Sequence, residues 1–145
     1  MNRLGKTVLE YLEKLLNLQE LSVQSVGFAL HCNHFLPLDD SGTLYTQVWR
    51  SFGDGQQIAV VEVREVVTPD NQKGALVILG LEPEVILRGK EVLLRFGEPD
   101  EVILSYPDGP INGRMYTYKR HAHTLTFGVD GTTDKVTHVI IDYRR

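Results

Sequence analysis

Cysteine is almost missing from this chain. Cys32 stands alone among 145 residues, so no internal disulfide can staple the fold and the sulfur content gives no sign of an oxidising compartment. A basic excess is missing too. Fifteen Lys and Arg face nineteen Asp and Glu, and the net charge of −4 disfavours nucleic acid, whose phosphates need a cationic face. No stretch approaches the roughly 20 apolar residues that cross a bilayer. The opening MNRLGKTVLEYLEKLLNLQE is interrupted by Glu10, Glu13 and Lys14 and offers neither an apolar h-region nor a cleavage site. Low-complexity tracts and clear linkers are also lacking. These absences leave a soluble, cytoplasmic protein as the expectation, with neither nucleic acid nor membrane as partner.

What is present reads as a globular chain. Apolar residues make up 42% and charged residues 23%, enough to bury a core without covalent help. The length suits a single compact domain over 1–145, or two small halves, 1–81 and 82–145. Leu4, Val8, Leu12 and Leu15 recur at helical steps, with Lys6, Glu10, Glu13 and Lys14 on the other face, which predicts an amphipathic helix lying on a core. The period then changes to two. Val26, Phe28, Leu30 and Cys32 alternate with Ser25, Gly27, Ala29 and His31 and read as a strand. Strand-like runs follow at TLYTQVWRS, QIAVVEVREVV and ALVILG, separated by PLDDSG, FGDGQ and TPDNQKG.

Pro83 suits a first helical position, and Gly97 with Pro99 is a stop signal; Gly89 confines the firm helical piece to Lys90 through Phe96. The runs EVILSY, RMYTYKR, TLTFGV and VTHVIIDY close the chain. Strands come in blocks instead of alternating with helices. That predicts an α+β fold: an antiparallel sheet with one N-terminal helix and one short central helix. The two halves share aromatic placement, a hairpin glycine and a closing Val/Ile strand, so a degenerate repeat is open as a reading.

In the second half, LRGKEVLLRFGEPDEV followed by YTYKR, LTFGVDG and KVTHVIID resembles the αβββ module of the SmpA/OmlA (BamE) family. The same module occurs in tandem in the β-lactamase inhibitor protein, the BLIP-like fold. The shared features are Gly89, a short helix ending at Phe96-Gly97-x-Pro99, Tyr116 and Tyr118 on an aromatic strand, Leu125-x-Phe127, an Asp130-Gly131 turn and a closing strand from Val136. The resemblance implies a left-handed cap at Gly97 and a helix face of Val92, Leu93 and Phe96 on the sheet. It implies a non-catalytic binder that presents a sheet face. The family's membrane-assembly role does not transfer, since Cys32 lies inside the chain and no lipobox cysteine is present.

Chemistry-bearing clusters are few. HCNH holds His31, Cys32 and His34, but on a strand His31 and Cys32 face opposite ways and cannot converge on one ion at 2.0–2.3 Å. Cys32 reads as a small buried hydrophobe, not a nucleophile. His121 and His123 of HAH share a strand face and, with His138, make the better metal candidate. DGTTDK and DDSG lack the ligand spacing of a calcium loop, and Glu62 and Glu65 alternate faces and do not form a glycosidase pair.

The aromatic and arginine set carries the expected function. Tyr116 and Tyr118, flanked by Arg114 and Arg120, have the make-up of an interface hot spot, and Tyr45 with Trp49 gives a second patch. The leading expectation is a protein-binding module: an inhibitor, an immunity protein or an assembly adaptor, working without a cofactor. The alternative is a small-ligand or metal-binding protein, even an enzyme, built on the three histidines. Self-association into a homodimer through a sheet edge also stays open.

Overall fold

Helix α1 (Arg3–Leu16) is followed by α2 (Val23–Leu30), then by strands β1 (Leu36–Leu38), β2 (Tyr45–Phe52), β3 (Ile58–Val67) and β4 (Lys73–Leu81). Helix α3 (Gly89–Phe96) leads into β5 (Glu101–Leu104), β6 (Arg114–Lys119), β7 (His123–Val129) and β8 (Val136–Arg144). The computed structural model describes residues 3–18, 21–32, 34–38, 45–53, 57–67, 73–104, 113–120 and 123–144. The strands form one sheet in the order β1-β2-β3-β4-β8-β7-β6-β5, every neighbouring pair antiparallel. Two four-stranded meanders therefore run outward from a central β4–β8 pair. The fold class is α+β, as the blocks of strands predict. The expected hairpin turn at Asp54-Gly55 lies outside the described residues.

The layers follow from periodicity. On α1 the stripe Val8, Leu12 and Leu15 is buried, and α2 adds Val26, Ala29 and Leu30. These side chains share one apolar core with Val61 and Val63 of β3, Val77 and Leu79 of β4, Leu125 and Phe127 of β7, and Val139 and Ile141 of β8. Along each strand the core residues are two apart, so they occupy one face. All three helices contribute to that single core, and the helices cover only this face. An ion pair between Arg95 and Glu13 ties α3 to α1.

Four details differ from the sequence reading. The segment expected to be a strand through Cys32 is helix α2. Ser22 caps its N-terminus in a reciprocal box with Ser25, and His31 closes it in a left-handed conformation at φ 57°. Cys32 N then donates to Gly27 O at 2.8 Å, which folds Cys32 inward while Phe28 points out, 86% exposed. Pro83 sits in a turn ahead of α3 and not at its first position. Gly97 does end α3, but with φ 81° and ψ −160°, outside the left-handed helical region, and Leu93 is 37% exposed and not packed like Val92.

Candidate functional site

The aromatic strand is core. Arg114, Tyr116 and Tyr118 share a face of β6, and the register sets Tyr116 opposite Phe127 and Tyr118 opposite Leu125. That is the face beneath α3. Tyr116 is 7% exposed and Tyr118 only 1%, which corrects the expectation of an open aromatic patch. The Tyr118 ring lies 5.6 Å from Phe96 and meets Phe127 edge-on at 6.1 Å, and its hydroxyl donates to Gly97 O at 2.8 Å. Burial pushes its pKa up, Tyr116 and Asp100 add to the rise, and Arg120 opposes it.

The two arginines close the rim of this core. Arg114 stands 5.8 Å from the Tyr116 centroid and pairs with Asp134 Oδ1 at 2.8 Å. Arg120 stands 5.5 Å from the Tyr118 centroid with Asp100 at 3.9 Å. Tyr45 begins β2 with its side chain outside the described residues, whereas Trp49 is partly buried against the core beneath α2.

The histidines do not meet. His121 lies outside the described residues. His123 shares the core parity of Leu125 and Phe127, while His138 alternates with the core residues Val139 and Ile141 and so faces the other way. They are also remote along the sheet, His123 opposite Tyr143 and His138 opposite Gly128. Among the described residues no three His, Cys, Asp or Glu side chains are grouped to hold a metal ion. Burial lowers the pKa of both rings, with Arg120 adding to the effect on His123. His31 and His34 are exposed, and Cys32 is buried as expected, 6% exposed.

The sheet face away from the helices was not singled out in the sequence, and it carries the more coherent surface. One cross-strand row runs Arg50, Glu62, Ile78, Ile140, Thr126, Thr117. A second runs Val60, Gly80, His138, Gly128, Met115, Ile103. Leu76 stands beside Ile78, between Arg64 and Asp142. Val60, Leu76, Ile78, Ile140 and Met115 are all partly exposed, and Ile103 is 39% exposed. The result is an apolar band across the middle of the sheet.

Charge borders that band. Glu62 accepts from Arg50 Nη2 at 2.7 Å and from Arg64 Nε at 2.6 Å. Burial pushes the Glu62 carboxyl up, but the bonds and charges of the two guanidinium groups outweigh it and hold the group below its usual value. At the other end Lys119 Nζ pairs with Glu101 Oε1 at 2.7 Å, and mid-face the Thr117 and Thr126 hydroxyls lie 3.2 Å apart. The alternation that would have revealed this face is plain in hindsight: ALVILG and THVIID place aliphatic residues at both parities.

Set against protein-family models, curated proteins and solved structures, the chain matches none of them. Among the described residues no helix is long and apolar enough to cross a membrane.

Proposed function

We propose that this chain is a non-catalytic protein-binding module and that it engages another protein through the helix-free face of its sheet. The observation that carries the reading is the partly exposed band of Val60, Leu76, Ile78, Ile140 and Met115. An antiparallel sheet with one solvated face ordinarily turns polar residues outward. Here the outward row is aliphatic at its centre and charged at both ends, the anatomy of a protein interface: apolar core, polar rim. The likeness of the second half to αβββ modules supports the same use, a sheet face offered to a partner. The two meanders meeting at β4 and β8 support reading 1–81 and 82–145 as paired units. An inhibitor, an immunity protein or an assembly adaptor would each work this way.

Relocating the site changes the residues that matter. Tyr116, Tyr118, Arg114 and Arg120 hold the core and its rim, so their effect on a partner is indirect. The histidine alternative loses its geometric support, because His123 and His138 face opposite ways. The test is capture of a partner by the native protein, with stoichiometry fixed by native mass spectrometry, then repetition with Ile140→Lys. Loss of at least about thirtyfold in affinity, with melting unchanged, is the expected result for a central anchor. Full affinity in Ile140→Lys, or the same loss from Leu94→Ser on the helix layer, would overturn the placement.

A further inference from the structure

We propose that a second copy of this chain pairs antiparallel with the free edge of β5, so that two sheets continue as one across a two-fold axis. The contact is separate from the partner site on the sheet face. Strand β5 ends the sheet on one side, and among the described residues it pairs with β6 alone. Its outer edge offers backbone N–H and C=O groups that another strand completes.

The side chains of β5 ask for the same occupant. Val102 is 52% exposed and Leu104 70%, and Ile103 between them is exposed too. The register sets Val102 and Leu104, opposite Tyr116 and Arg114, on the helix side of the sheet, and Ile103, opposite Met115, on the other. Successive apolar residues open on both faces are covered together by a strand laid alongside; a partner docked on either face leaves the other set in water. The far edge of the sheet is built differently. Strand β1 has three residues and carries Pro37, which lacks an N–H, whereas β5 contains neither proline nor lysine.

Self-complementarity names the occupant as a second copy. Opposed residues of an antiparallel pair share a face, so a two-fold axis that keeps all helices on one side sets one residue against its own copy. With Ile103 on the axis, Val102 meets the second copy's Leu104 and every pair is aliphatic. With Val102 on the axis, Glu101 would oppose Ile103. The Ile103 register leaves Glu101 outside these pairs, its charge answered by Lys119 of its own chain at 2.7 Å.

Sedimentation velocity of the whole protein tests the contact. A strand pair this short belongs to the weak, reversible class, so the sedimentation coefficient should rise towards that of a dimer between micromolar and millimolar protein. Ile103→Lys sets two ammonium groups opposite each other and should weaken the dimer at least about tenfold, with melting of dilute protein unchanged. Under diamide, Ile103→Cys should cross-link at least about tenfold faster than Val102→Cys, and buried Cys32 does not compete. A protein that stays monomeric throughout, or a dimer that survives Ile103→Lys, overturns the proposal. Faster cross-linking of Val102→Cys overturns the register. Dissociation in Ile140→Lys but not in Ile103→Lys would place the two copies face to face on the sheet. A dimer intact in Ile140→Lys keeps the edge contact apart from the partner site, so either reading can fail alone.

Discussion

Gly89 and Asp134 lock the start of α3 onto the β7–β8 turn. Gly89 N donates to Asp134 O at 2.8 Å, and Lys90 N donates to Asp134 Oδ2 at 3.2 Å. The residue before the helix, Arg88, offers no side-chain cap, so a carboxylate 44 residues away in sequence does that work. The same carboxylate takes Arg114, which joins helix, turn and strand in one polar knot. Asp134 reaches this position in a left-handed conformation, φ 60°, that an aspartate tolerates better than most residues.

Gly89→Ala should destabilise the protein by about 1–3 kcal/mol. A methyl group there would stand 2.7 Å from Asp134 Oδ1 and 3.2 Å from the Tyr116 ring. Asp134→Ala should cost about 1–2 kcal/mol through the lost cap and ion pair. In urea unfolding the double variant should fall short of the sum, because the methyl no longer meets the carboxylate. Strict additivity would show that the two residues act apart.

Tyr118→Phe should lose about 1 kcal/mol, the hydroxyl bond to Gly97 O, and keep the ring contacts with Phe96 and Phe127. Tyr118→Ala should lose about 3–5 kcal/mol and bring the melting transition down sharply. Were Tyr118 a surface anchor, the alanine variant would melt normally. Differential scanning calorimetry of the two variants decides it.

Much of the fold was legible because single elements carried one period each. The stripe Val8, Leu12, Leu15 could only be a helix, and the β-branched runs of β2, β3 and β8 could only be strands. Around Val26 two periods coexist. Val26, Leu30 and Cys32 fit alternation, whereas Val26, Ala29 and Leu30 fit a helix, and the Ser22–Ser25 capping box settles the choice. The site was misplaced for a different reason. Tyr116 and Tyr118 do share a face with Arg114, but which face receives α3 depends on contacts remote in sequence. Strand parity groups residues; it does not say which group is buried.

Mild acid should weaken the fold through its histidines. Burial lowers the pKa of His138 and of His123, the latter with help from Arg120. Above the ordinary value of 6.5 both rings are neutral, folded or unfolded, and contribute nothing. As pH falls below it the unfolded chain takes up protons first, so stability is lost until the folded rings protonate too. Melting temperatures should therefore drop between about pH 7.5 and about pH 5.5, and His138→Gln should flatten the slope. An unaltered slope in that variant would show that His138 is not one of the titrating groups.

The Arg50–Glu62–Arg64 trio should divide its stabilisation unevenly. Glu62 is 6% exposed, so its charge depends on the guanidinium groups above it. Arg50 is 54% exposed in its side chain and Arg64 32%, so solvent screens the Arg50 pair more strongly. Arg50→Ala should cost about 0.5 kcal/mol and Arg64→Ala about 1 kcal/mol. The Glu62 carboxyl is held below its usual value, so the trio's contribution is present above pH 4.5 and disappears as pH falls through the lowered folded value. Glu62→Gln should lower stability at neutral pH and remove that part of the acid dependence. Double-mutant cycles in urea, run at neutral and at acid pH, would show coupling at the first and none at the second. Coupling that persists in acid would mean that hydrogen-bond geometry, not the carboxylate charge, holds the trio at the border of the apolar band.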